Sequence, residues 1–134
     1  MKICKVLALL LFAAICALGI TSKGVAQEPS SQKVTGIYSD MQYNREGGDV
    51  VGQEVFIVFS KSGYFAILQL SEGEPSAPVV VPVKVAGSAV TFTVPTEMDT
   101  RGTFKGNISG GHLVGTFSGN GQKVDLKRKS SYWQ

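Results

Sequence analysis

Beyond residue 26 the sequence has no cysteine, which removes disulfides, thiolate nucleophiles and thiolate metal ligands from that part of the chain together. Histidine is nearly missing as well. His112 stands alone, whereas a zinc site needs several ligands and a hydrolytic dyad needs a partner within hydrogen-bond reach. With neither cysteine nor a second histidine the sequence holds the parts of neither, and His112 reads as a solvated side chain. No stretch shows helical periodicity with caps. A charge excess is missing too: Lys2, Lys5 and Lys23 lie before residue 27, leaving ten basic against ten acidic residues after it. A nucleic-acid or acidic-membrane partner therefore loses its main support. The short run Lys127-Arg128-Lys129 reads as a solvated strand end.

The longest apolar run, Val6 to Ile20, follows the charged residues Lys2 and Lys5 and precedes the small residues of Gly24-Val25-Ala26. That layout predicts a secretion signal over residues 1–26, cleaved before Gln27, and hence a periplasmic or secreted protein. The run falls short of the ~20 residues a membrane-spanning helix needs, so no integral membrane segment is expected after processing. Both cysteines, Cys4 and Cys16, would leave with the signal. Acylation at Cys16 would make a lipoprotein instead, but Ile15 fills the position where such signals carry a small residue. Residues 27–32, polar and containing Pro29, read as a flexible arm, and residues 33–134 as one domain.

The strongest pattern in that domain is a near mirror centred on Gly110-Gly111, where Phe104, Gly106 and Ile108 are answered by Leu113, Gly115 and Phe117. Folded as a hairpin with a two-residue turn, it pairs Ile108 with Leu113, Gly106 with Gly115 and Phe104 with Phe117, all six on one face. Gly87-Ser88 likewise predicts pairing of Val85 with Val90, Val83 with Phe92 and Val81 with Val94. Asn120-Gly121 predicts Phe117 opposite Val124 and Gly115 opposite Leu126.

Earlier strands are expected over Lys33–Met41, Glu54–Ser60, Tyr64–Leu70 and Val79–Val85, with a longer polar loop through Asn44 to Asp49. Turn signals recurring about every ten residues give an all-β chain of eight strands. Short links make successive strands antiparallel neighbours, so the fold class is an up-and-down meander forming a closed or partly open barrel, with a two-sheet sandwich as the alternative. Pro82 has no amide hydrogen to give a neighbour, and with the long loop before its strand it predicts a seam between the third and fourth strands.

The order of strands, Gly36-Ile37-Tyr38 on the first of them, and the hairpin segments Gly106-Asn107-Ile108 and Leu113-Val114-Gly115-Thr116-Phe117 resemble the small calycin barrels of lipocalin and avidin type. The resemblance covers residues 33–134 in topology. Tyr38 stands where those barrels have tryptophan, and the tryptophan cage of avidin-type proteins is absent. The resemblance implies a barrel whose interior side chains fill or a small apolar ligand shares.

On that basis the candidate ligand-binding residues are the interior set Phe92, Phe104, Gly106, Ile108, Leu113, Gly115 and Phe117. The paired glycines have two readings: backbone bared so that strands coil under a phenylalanine ring, or side chains omitted to leave a cavity. Asn44, Glu46, Asp49 and Glu54 near Gly47-Gly48 lack the spacing of a calcium loop, so neither a metal nor a cofactor is expected. Tyr132-Trp133 is expected to plug one barrel end. The function expected is non-catalytic: carriage of a small hydrophobic ligand in the interior, or protein interaction or inhibition through loops or the outer wall. On the second strand Phe56 and Val58 point opposite to Val55, Ile57 and Phe59, and on the third Phe65 and Ile67 point opposite to Tyr64, Ala66, Leu68 and Leu70, with either set of each strand free to face inward. One set must therefore line the outside, and a homodimer through strands two and three follows as an expectation.

Overall fold

Turns rather than long connections separate the strands, and this dictates the topology. The computed structural model describes residues 32–134; the expected signal peptide, its cleavage site, Cys16 and most of the arm lie outside the described residues. The strands are β1 (Gly36–Ser39), β2 (Gln42–Asn44), β3 (Asp49–Ser60), β4 (Gly63–Gly73), β5 (Val79–Ala86), β6 (Ala89–Thr93), β7 (Thr103–Ser109), β8 (His112–Phe117) and β9 (Lys123–Arg128). Each pairs antiparallel with its sequence neighbour from β2 through β9. β1 pairs with β9 on one side and β3 on the other, which closes the sheet into an eight-stranded barrel with β2 as an extra strand.

The hairpin at Gly110-Gly111 has the register that its mirror pattern predicts, with Phe104 opposite Phe117, Gly106 opposite Gly115 and Ile108 opposite Leu113. Both turn glycines take positive φ, at 56° and 80°, as a two-residue turn of this hand requires.

The first expected strand is interrupted. β1 and β2 follow one register along β3, from Gly36↔Ile57 to Asn44↔Asp49, but side chains take over at Asp40-Met41. Asp40 Oδ1 accepts from the Gln53 amide at 2.6 Å, and Ser39 Oγ from the Met41 amide at 3.2 Å. Gly52 lies opposite with φ +113°, where an added Cβ would meet the Asp40 carbonyl at 2.8 Å. The expected long loop after Asn44 is a tight turn, closed by the Gly48 amide donating to the Asn44 carbonyl at 2.8 Å, so β3 begins at Asp49 instead of Glu54.

Two further expectations are corrected. β8 and β9 pair as Gly115↔Val124 and Leu113↔Leu126, displaced by two residues from the register that an Asn120-Gly121 hairpin would set. The connecting loop is held elsewhere: the Gly119 amide donates to the Arg101 carbonyl at 2.8 Å, and the Phe117 amide to the Gln122 carbonyl at 2.9 Å. A shift of two keeps every side chain on its expected face, so the core is unaffected.

The seam also lies elsewhere. Pro82 sits within the β4–β5 ladder opposite Phe65, whereas the β5–β6 ladder stops at Lys84↔Thr91. The two-residue turn makes Ala86 and Ala89 a hydrogen-bonded pair, so Lys84 and then position 82 direct their backbone groups toward β6. Proline's missing N–H therefore removes the next bond to β6 and none to β4. The expected pairs Val83–Phe92 and Val81–Val94 accordingly fall outside the ladder. Replacing Pro82 with Thr returns that N–H. The amide at position 82 is expected to become protected from hydrogen exchange as the ladder advances; fast exchange there would contradict this account of the seam.

Candidate functional site

The interior is a single apolar core drawn from every wall: Tyr38, Val55, Ile57, Ala66, Leu68, Val81, Val83, Val90, Phe92, Phe104, Ile108, Leu113, Phe117, Val124 and Leu126 belong to one buried cluster. The seven residues expected to line a ligand site all sit at inward positions. Phe92 stacks on Phe104 with centroids 4.9 Å apart, and Phe117 meets Phe104 edge-on at 5.3 Å. Phe104 also lies over the paired glycines. A Cβ added at Gly106 would stand 2.5 Å from its Cζ and 2.3 Å from the Val114 carbonyl, and one at Gly115 would stand 2.5 Å from the same Cζ. The room left by the missing side chains is thus filled by a ring.

The two ends are held by arginines: Arg101, on which no sequence pattern bears, and Arg128, which was expected to belong to a solvated strand end and instead packs on the barrel. At one end Arg128 stacks over the Tyr38 ring, 4.8 Å from its centroid, donates to the Thr35 carbonyl at 2.7 Å and also bonds the Lys33 carbonyl and the Tyr38 hydroxyl. Tyr38 in turn donates to the Val34 carbonyl at 2.8 Å, so residues 33–35 are drawn across this end with Val34 in the core. Burial raises the Tyr38 phenol above its ordinary pKa, opposed by the charge of Arg128 and its hydrogen bond. A cavity of about 560 Å³ remains beside this segment, bordered by Gln32, Thr35, Tyr64 and Val85. Lys129, next along the basic run, reaches the Met41 carbonyl at 3.4 Å. Two of its three cations are therefore engaged by the barrel itself.

At the opposite end Arg101, only 5% exposed, caps Phe117 at 5.3 Å from the ring centroid. Its Nη2 donates to Asp99 Oδ2 at 2.9 Å and its Nη1 to Gln53 Oε1 at 3.3 Å; Nε lies 2.9 Å from Asp99 Oδ1 as an ion-pair contact without hydrogen-bond geometry. The hydrogen bond from Arg101 lowers the Asp99 carboxyl below the ordinary aspartate range. Above this arginine opens a polar cavity of about 420 Å³ bordered by Asp40, Asp49, Gln53, Ser71 and Glu72. Among the described residues no group of three or more acidic, histidine or cysteine side chains is arranged to hold a metal ion.

His112 has a partner that sequence order hides. Asp125 on the neighbouring strand brings Oδ1 within 2.6 Å of His112 Nδ1, and both side chains stand on the exposed outer wall. Tyr132-Trp133 does not plug an end. The tail lies on the outer wall, where Ser131 Oγ and the Tyr132 amide donate to Glu54, at 2.7 and 3.0 Å, and Trp133 Nε1 donates to Gln69 Oε1 at 2.7 Å.

Beside that polar row lie two apolar ones. Cross-strand register places Phe56, Ile67 and Val80 in one outward row and Val58, Phe65 and Pro82 in the next, across β3, β4 and β5. Phe56 is 37% exposed and Val80 65%. The opposite sets, Val55 with Ile57 and Ala66 with Leu68, are the ones that face the core.

No family model matches the chain, and no curated protein and no solved structure is significantly similar to it. Among the described residues no helix is long and apolar enough to cross a membrane.

Replacing Gly106 with Val is expected to lower stability by about 1–3 kcal/mol, because the added carbons must displace the Phe104 ring or the β8 backbone. Thermal or denaturant unfolding reads this directly. An unchanged midpoint would mean that the ring does not occupy the space over the glycines.

Proposed function

We propose that this protein is an exported, non-catalytic β-barrel that works as an interaction module through its outer wall, with a second copy of itself as the partner. The observation that carries this reading is the pair of apolar rows across β3, β4 and β5. An antiparallel sheet with one face on the core ordinarily turns polar residues outward, and monomers rarely leave a contiguous apolar patch on the surface. The rows Phe56-Ile67-Val80 and Val58-Phe65-Pro82 contain no charged residue. Such a face meets its own copy without like-charge repulsion, and two faces of this kind pack as sheets do in a sandwich, about 10 Å apart.

Export rests on Lys2, Lys5, the apolar run and Gly24-Val25-Ala26. The non-catalytic reading is supported by the setting of the His112–Asp125 pair, whose side chains are 40% and 64% exposed on the outer wall, where water reaches them. Carriage of a small apolar ligand inside the barrel, with a calycin-like architecture, is the second reading. It is favoured by the inward placement of the seven interior residues and disfavoured by the Phe104 ring over Gly106 and Gly115. The C-terminal tail is the intramolecular rival for the wall, and its hydrogen bonds go to the adjoining polar row of Glu54 and Gln69.

Sedimentation of residues 27–134 decides the matter. A dimer is expected at high micromolar concentration, reverting to monomer on replacement of Ile67 with Lys, which puts a charge at the centre of the rows. A protein that stays monomeric at that concentration, and remains so after deletion of the tail from Ser130, would overturn the homodimer.

A further inference from the structure

We infer that the seam between β5 and β6 is a binding cleft for a small amphipathic anion, whose apolar body lies in the gap against Pro82 and the edges of Val83 and Phe92 and whose acidic group is held by Lys84. The seam originates in two prolines on facing strand edges. Position 82 directs its backbone toward β6, as the pairing of Ala86 with Ala89 requires. On the other side the Val94 amide donates to the Gly102 carbonyl on the β7 side, so Thr93 and Pro95 direct theirs toward β5. Pro82 and Pro95 thus withhold N–H donors from the same seam, one from each edge, and the ladder stops at Lys84↔Thr91.

Where pairing stops, the wall opens. A cleft of about 320 Å³ lies over the seam, lined by Pro82, Lys84, Thr91 and Thr93 on the outside and by the edges of the core residues Val83 and Phe92, 7% and 3% exposed, in the gap between the strands. A second apolar cleft of about 330 Å³, bordered by Val79, Pro95 and Met98, lies farther along the same seam. Volumes at the low end of the range for ligand pockets suit a body of one or two rings or a short aliphatic chain.

Charge selects the head group. Lys84 borders the cleft, and among the described residues no carboxylate lies within ion-pair distance of it. Register carries the same row on through Thr91 to Lys105. Lys84 and Lys105 therefore flank Thr91 about 10 Å apart, two strand spacings, and one carboxylate or sulfonate between them can meet both. Thr93 and Thr103 share one hydrogen bond between their hydroxyls at 2.9 Å, which leaves one hydroxyl proton to donate at the rim. An apolar gap with cations and hydroxyl donors on one border is complementary to an anion carrying a hydrophobic body; a cation or a polyol would leave either the charge or the gap unmatched.

The site shares Pro82 with the apolar rows on β3 to β5, and the test separates the two. 5-Dimethylaminonaphthalene-1-sulfonate is titrated into the protein by fluorescence, with 1-dimethylaminonaphthalene, the same two rings without the sulfonate, as the neutral comparison. Saturable binding at one site per chain is expected, weakened about tenfold or more by Lys84→Glu and unchanged by Lys61→Glu, an equal change of charge in the β3–β4 turn. Binding is also expected to survive Ile67→Lys, and the neutral probe to bind about tenfold more weakly. Absence of saturable binding, equal effects of the two lysine substitutions, loss of binding on Ile67→Lys, or equal affinity for the neutral probe would each overturn the proposal. Amide shifts confined to Val83, Lys84, Phe92 and Thr93 are the expected footprint of the probe; shifts centred on Phe56 and Phe65 would contradict it.

Discussion

The ring of Phe104 lying on the bare backbone of Gly106 and Gly115 is the contact on which the rest of the barrel depends. An eight-stranded barrel has one interior, just wide enough for side chains to fill. Phe92 and Phe117 pack against Phe104, and the aliphatic residues of β3, β4 and β9 complete the cluster. Once the centre is taken, the ends need only be capped, and Arg101 and Arg128 do this with their planar groups over Phe117 and Tyr38. Both guanidinium groups find partners on carbonyls, an amide oxygen or a carboxylate at the rim, with Arg101 Nε left in ion-pair contact with Asp99, so that each charge sits beside the apolar core with a counterpart.

The same filling explains what lies outside. Val55 to Phe59 of β3 and Tyr64 to Leu68 of β4 are apolar on both faces, and with one face committed to the core the other must be left on the surface. The C-terminal tail engages the polar row at Glu54 and Gln69, and the rows next to it remain an apolar wall. Recognition by this protein is therefore expected at its outer surface, where the apolar rows and the proline-flanked seam are neighbours on opposite sides of β5. They differ in chemistry: one is uncharged and suits a second copy, the other carries Lys84 and suits a small anion.

Much of this fold was legible in the sequence because its strongest signals are local. The mirror around Gly110-Gly111 fixes a register by turn type and by face at once, and the inward residues of β7 and β8 follow from it. The register of β8 against β9 was not legible, because Asn120-Gly121 is overridden by a backbone bond between Gly119 and Arg101, residues 18 positions apart in the chain. Pro82 announced a seam, but the expected side was the wrong one. The side depends on which alternate residues direct their amides to β6, a parity set by the turn at Gly87-Ser88. Arg101, Arg128 and the partner of His112 were invisible for a simpler reason: each acts through a residue brought beside it only when the barrel closes, and nothing in composition marks a buried arginine from an exposed one. Phe92, Phe104, Ile108, Leu113 and Phe117 face inward as strand alternation predicted, while the space they enclose was set by the orientation of one ring.

The central claim is that the interior is filled and that binding belongs to the outer wall. Methyl NMR under xenon pressure tests it most directly, since xenon enters apolar voids of modest size and shifts the methyl groups around them. The methyls of Ile108 and Leu113 are expected to stay in place while those of Val80 and Ile67 on the open wall respond weakly and without saturation. A saturable shift at Ile108 and Leu113 would show an interior cavity and contradict the account.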